Sequence, residues 1–139
     1  MKVLVTGAGG LVGRAVVSHC NLADESVVAL DHHALDITDE SQVNAAIDRE
    51  RPEVVINCGA WTDVDGCELD PGRAHAANAL GPELLALGCR RAGALLITIS
   101  TDYVFDGEKK GYYTQRDQPN PQSVYGVSKI GRASCRERV

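Results

Sequence analysis

The sequence predicts an α/β fold, a doubly wound parallel sheet that stops after about four strands. Three observations predict it. Short β-branched runs alternate with helical periodicity from the second residue onward. A glycine-rich turn separates the first run from the first helix. The last run, Ala94–Ile99, is apolar at nearly every position, as in strands buried on both faces of a parallel sheet.

Each element has its own signal. Lys2–Thr6 is a short apolar run ending at glycines, a buried strand. Leu11, Val12, Ala15, Val16 and Cys20 then recur at helical spacing. Ser26–Leu30 is a second strand. Asp39 is placed to cap the next helix, with Gln42 as its capping-box partner and Val43, Ala46 and Ile47 as the apolar stripe. Glu53–Asn57, set up by Pro52, is a third strand. Asp70-Pro71 starts a helix with an acceptor at N-cap and proline at N1. Ala74, Ala77, Gly81, Leu84, Leu85 and Gly88 line one face of it, Gly81-Pro82 is a candidate kink, and Gly93 suits the position after its end. A polar, Gly/Pro-rich loop follows Ser100 to about Gln122, then a helix start at Ser123–Lys129. The order βαβαβαβ implies right-handed crossovers. With strands in the usual 3-2-1-4-5-6 order, the fourth becomes an edge with unpaired backbone groups.

The 139 residues allow one domain. Lys and Arg number 14 against 19 Asp and Glu, a formal charge of −5. With no basic cluster before the last ten residues, nucleic acid is not expected as a partner. No apolar run reaches the roughly 18 residues of a membrane span, and the N-terminus lacks the apolar core and cleavage site of a signal peptide. The five cysteines (Cys20, Cys58, Cys67, Cys89, Cys135) are odd in number and show no C-x-x-C spacing. Neither a zinc site nor a disulfide framework is expected, and a cytoplasmic, reducing setting is.

Gly7, Gly10 and Gly13 form a G-x-x-G-x-x-G loop between strand and helix. Gly7 permits the tight turn, Gly10 lets a pyrophosphate approach the backbone, and Gly13 lets helix pack on strand. The helix start, through Leu11 and Val12, offers free N–H groups and partial positive charge to an anion. No Gly-Lys-Ser/Thr closes the loop, which argues against a P-loop. The expected fold is therefore a Rossmann-like dinucleotide site. Asp31, at the end of the second strand, stands where an acid accepts the adenosine ribose hydroxyls, or else is a solvated strand-end carboxylate. Such an acid disfavours a 2′-phosphate. His32 and His33 beside it can offset that, or simply be solvated, so both NADH and NADPH stay open as cofactor. Cys58, Gly59 and Ala60 end the third strand with small side chains that leave a cofactor room to pass.

Tyr125 and Lys129 form a Y-x-x-x-K motif, and residues four apart share a helix face. The lysine charge favours the phenolate and is expected to lower the Tyr125 pKa. Tyr125 can then give a proton to a carbonyl oxygen as hydride reaches the carbon. Thr101, after the fourth strand, can hydrogen-bond the same oxygen.

Residues 1–129 resemble the extended short-chain dehydrogenase/reductases, and within them the dTDP-4-dehydrorhamnose reductase branch. The resemblance rests on Arg51–Asn57, Trp61–Glu68, Asn78, the Ser100–Phe105 string and Tyr125–Lys129. It implies Thr101, Tyr125 and Lys129 as catalytic and Asp102 and Tyr103 as substrate-binding. Asp36-Ile37 resembles the pair that holds the adenine ring in this class. The implied activity is NAD(P)H-dependent reduction of a 4-keto nucleotide sugar, and the implied assembly of the whole enzyme is a homodimer. Asp63, Asp65 and Glu68 read as solvated or helix-capping acids. The competing readings are a nucleotide-sugar epimerase or dehydratase, and a regulatory subunit resembling the methionine adenosyltransferase β subunit. Residues 130–139 match no part of the family and resemble read-through of a sequencing adapter. The expectation is an incomplete nucleotide-binding domain over 1–129, a non-native tail, no C-terminal substrate domain and little activity.

Overall fold

The structure, a computed structural model, describes residues 1–130. Its elements are β1 (Lys2–Thr6), α1 (Leu11–Leu22), β2 (Ser26–Leu30), α2 (Glu40–Glu50), β3 (Val54–Asn57), α3 (Val64–Leu69), α4 (Pro71–His75), a π-helical turn (Ala76–Leu80), α5 (Gly81–Ala92), β4 (Leu95–Thr98), a 3-10 turn (Asp102–Val104) and α6 (Val124–Ile130). The four strands form one parallel sheet. Helix α6 ends on the first residue of the expected foreign tail, and 131–139 lie outside the described residues.

The strand order is β2-β1-β3-β4. This corrects the 3-2-1-4 arrangement expected from the sequence. Only α2 follows β2, and it carries the chain back across β1, so the winding reverses after two strands instead of three. Two cores result. On one face Leu4, Val55 and Leu96 pack against Val43, Ala46 and Ile47 of α2 and Leu85 and Cys89 of α5. On the other, Val3, Val5, Val27 and Ile56 meet Val16, Val17 and Cys20 of α1. Helices leave the sheet in opposite senses between β1 and β3, so the crevice where open α/β sheets take ligands lies above those two strands.

Strand β4 is the edge, as expected, and pairs only with β3 among the described residues. It is not buried on both faces. Leu96 joins a core, while Leu95 and Ile97 are 59% and 44% exposed. The cause is positional: α1 packs on β1 and β2 and does not reach over β4.

Helix signals were mostly local and mostly met. The Asp39 carboxylate accepts from the N–H groups of Ser41 and Gln42 at 2.9 and 3.2 Å. Gln42 does not close the expected box. Its side chain donates to Asp39 Oδ2 and accepts from the Asp36 N–H, while the Asp39 N–H goes to the Asp36 carbonyl. Asp70 caps α4 through the Arg73 N–H at 3.0 Å, and Gly93 ends α5 at φ 72°. The expected kink at Gly81-Pro82 takes the form of the preceding π turn. Pro82 has no N–H for the Asn78 carbonyl and its ring would crowd that oxygen, so the helix widens there and continues.

Candidate active site

Two loops meet above β1 and β3. In the first, Gly7 takes φ +63°, and a Cβ there would lie 2.5 Å from the Gly59 nitrogen. A Cβ at Gly13 would run into the Gly7 carbonyl oxygen. Gly10 keeps an open side: its nearest contact for an added Cβ is Gly7 O at 3.4 Å. No side chain caps α1, whose N-cap is Gly10. The first N–H groups of α1, from Leu11 and Val12, thus keep the polarity that suits an anion.

The second loop is set by a polar ladder across the strand ends. Thr6 Oγ1 donates to Asn57 Oδ1 at 2.6 Å, Asn57 Nδ2 donates to Thr98 Oγ1 at 3.3 Å, and the Gly59 N–H returns to Asn57 Oδ1 at 3.0 Å. Thr6 and Asn57 are buried, so the ladder satisfies polar groups that would otherwise be costly there. It holds Cys58–Ala60 against the glycine loop.

Between the loops lies a cavity of about 650 Å³. Of the expected cofactor residues, Gly7, Gly10, Asp36, Ile37, Cys58, Gly59 and Ala60 line it. Gly13 lies beneath, and the side chains of Leu11 and Val12 point to solvent. Asp31 is not in the lining. Its Oδ1 accepts from the N–H groups of His33 and Ala34 at 2.9 and 3.0 Å. Those bonds, Ala34 first, hold its carboxyl below the usual carboxylate value. It still borders the glycine loop, since a Cβ on Gly9 would sit 3.4 Å from Asp31 Cβ. His32, weighed beside Asp31 as a cofactor contact or a solvated side chain, is in the lining; Gly9, Leu35, Thr38, Trp61, Arg73, Ala76 and Ala77 line it without having been expected from the sequence.

Thr101, Tyr125 and Lys129 come together beside this cavity, not within its walls. Tyr125 and Lys129 are 8% and 7% exposed, one turn apart on α6. Lys129 Nζ lies 5.8 Å from the Tyr125 ring centre and donates to the Ile99 carbonyl at 3.4 Å. The Tyr125 phenol is raised above its ordinary value because it is buried; its hydrogen bond with Thr101 opposes this without overcoming it. The expected lowering by Lys129 is therefore not what governs here. Tyr103 meets Tyr125 edge-on at 5.6 Å. Tyr103 and Asp102 line a second cavity of about 400 Å³ with Phe105, Tyr113 and Gln122.

Helix α6 is held by Glu68, read from the sequence as a solvated or helix-capping acid, and by Gly126 and Asn78, which sequence reasoning did not assign to that role. Glu68 of α3 accepts the Val124 N–H at 2.8 Å, so this acid caps the helix bearing Tyr125. Gly126 lets α6 approach the 3-10 turn, since a Cβ there would strike the Tyr103 carbonyl. Asn78, fully buried in the π turn, donates to the Trp61 carbonyl at 2.9 Å and Ser128 Oγ at 3.0 Å and accepts the Trp61 N–H at 2.9 Å. Ser128 in turn donates to the Tyr125 carbonyl at 2.7 Å. In the sequence Asn78 stands out as one of the residues of the family resemblance and as an amide among apolar helix positions, with no role attached to it. Asp63 caps α3 through the Gly66 N–H, as an acid in that stretch was expected to do.

The fold and these two loops define a Rossmann-like α/β domain with a glycine loop at its first strand end. The chain belongs to the family described as RmlD substrate binding domain, whose model matches residues 1–134. It is 44% identical over 126 residues to dTDP-4-dehydrorhamnose reductase of Streptomyces griseus, covering 91% of this chain and 41% of that protein. The crystal structure of a dTDP-4-dehydrorhamnose reductase from Clostridium acetobutylicum superposes with a TM-score of 0.93 at 43% identity, over 96% of this chain and 48% of that one. The Bacillus anthracis enzyme in complex with NADP gives 0.92 at 35%, again over 96% and 48%. The chain thus spans about half the length of the relatives it matches. No described helix is long and apolar enough to cross a membrane.

Proposed function

We propose that these residues form the dinucleotide-binding half, with the proton-donating pair, of an NAD(P)H-dependent reductase that converts dTDP-4-dehydrorhamnose to dTDP-L-rhamnose. The observation that carries this reading is the pairing of a glycine cradle closed to any side chain at Gly7 and Gly13 with Thr101, Tyr125 and Lys129 at the neighbouring strand end. Gly7, Gly10 and the start of α1 would hold the pyrophosphate, and Asp36 and Ile37 the adenosine side. When bound, a reduced nicotinamide supplies the hydride.

The chain's own part is proton transfer and positioning. Burial keeps the Tyr125 phenol protonated at neutral pH, the state a proton donor needs. Its Oη–H gives a proton to the ketone oxygen while the carbonyl carbon gains hydride, leaving an alcohol and a phenolate. Thr101 hydrogen-bonds that oxygen. The Lys129 ammonium favours the phenolate left behind. Asp102 and Tyr103 border the space a sugar would enter. Relatives named dTDP-4-dehydrorhamnose reductase support this substrate class.

Fluorescence titration of the chain with NADH and NADPH tests the cofactor half; both are expected to bind, and failure of both removes the dinucleotide reading. In the whole enzyme, Tyr125→Phe should cut ketone reduction by roughly 10²–10⁴-fold with cofactor affinity kept. Near-normal turnover would remove Tyr125 from the chemistry.

A further inference from the structure

We propose that Arg73 is a second anion contact of the nucleotide cavity, binding the cofactor pyrophosphate from the wall opposite the glycine loop. The inference rests on the dinucleotide reading above and deepens it. Arg73 and Gly10 line the same cavity, and Arg73 is the lining residue with a permanent positive charge. Its guanidinium carbon sits 4.3 Å from the centre of the Trp61 ring. A guanidinium resting on an indole is held in plane by cation–π attraction while its N–H edge stays available. No carboxylate among the described residues is within ion-pair distance of it.

The base of the side chain is fixed too. The Arg73 N–H is the one that Asp70 caps at 3.0 Å, and Trp61 is pinned through both its backbone groups by Asn78. Cation, ring and helix turn form one braced unit beside the cavity. A planar fork of N–H groups matches two phosphate oxygens. The glycine loop supplies only neutral backbone donors and the partial charge of a helix end, so a full charge across the cavity complements a dianionic pyrophosphate. The wall nearer β2 carries Asp36 and His32 instead, which suits the adenosine end and leaves the phosphates to Arg73.

Calorimetric titration of the 139-residue chain with NADH, NADPH, ADP-ribose and adenosine tests this. Arg73→Ala should weaken NADH, NADPH and ADP-ribose alike by roughly ten- to a hundredfold, the scale of a charge-assisted hydrogen bond. Adenosine should bind the variant as it binds the parent chain. Arg73→Lys should restore part of the loss, and added salt should weaken the parent more than the alanine variant. Arg73 is exposed, and an unchanged melting curve identifies a folded variant. Equal weakening of adenosine, a loss confined to NADPH, or no loss at all would each overturn the assignment while leaving dinucleotide binding in place. A parent chain that binds none of the phosphorylated ligands would overturn the dinucleotide reading, and this inference with it.

Discussion

Removing the Asn78 side chain should cost the fold more than any other polar truncation near the site. Asn78→Ala deletes three hydrogen bonds of 2.9 to 3.0 Å and empties a fully buried position. Ser128 keeps a partner in the Tyr125 carbonyl, so its loss is small. The Trp61 N–H does not, and the Trp61 carbonyl keeps only the weak Cys67 thiol donor at 3.8 Å. Each buried group left unsatisfied costs about 1–3 kcal/mol. Trp61 is only partly buried, so the lower end applies to each, about 2 kcal/mol for the pair. The emptied space adds about 1 kcal/mol. The expected loss is therefore about 3 kcal/mol, a large part of a small domain's stability. Urea unfolding followed by circular dichroism measures it as a lower midpoint at constant slope. Asn78→Asp keeps the acceptor for the Trp61 N–H but sets a carboxylate against the Trp61 carbonyl, and should cost at least as much. A loss under about 1 kcal/mol for the alanine variant would refute the claim that this amide ties the Trp61 loop to α6.

Two further outcomes follow from the same geometry. Gly13→Ala drives a methyl group into the Gly7 carbonyl and Ala8, so α1 must lift off the loop; a loss of about 1–3 kcal/mol, with weaker NADH binding, is expected from melting and titration. Asp39 and Asp117 are both depressed from 3.8 to about 2, chiefly by hydrogen bonds from Ser41 and Lys109. A depressed folded value means that their contribution is complete above 3.8 and is lost as the pH falls toward 2. Urea midpoints should drop across that window, and less steeply in Asp39→Asn; an equal slope in that variant would count against the cap.

What was legible in the sequence is what depends on a few neighbouring residues. Gly7 and Gly13 were readable because a missing Cβ has one cause wherever strand, turn and helix follow closely. Asp39, Asp70 and Gly93 were readable because caps are local. Strand order was not, since nothing within β3 says on which side of β1 it will pair. The exposure of Leu95 and Ile97 was hidden for a related reason: apolar character says what a strand can bury, not whether a helix reaches it. Thr101, Tyr125 and Lys129 do share one corner, as their spacing and strand-end placement suggested. Glu68 and Asn78 act on partners 56 and 50 residues away, beyond any local signal.

The π turn at Ala76–Leu80 has a consequence best expressed as rotational phase. A π turn holds one residue more than the α turn it replaces, and one residue is about 100° of rotation about the axis. The segment before the turn aims Ala74, beside Trp61 and Tyr125, at α6. The segment after it aims Leu85 and Cys89 at the sheet. A uniform α-helix through Pro71–Ala92 would bring only one of these two faces into line. Deleting a single residue between Ala76 and Leu80 should therefore not shorten the helix harmlessly; it would turn α5 by about 100° relative to α4, swinging either Leu85 out of the core or Asn78 away from Ser128.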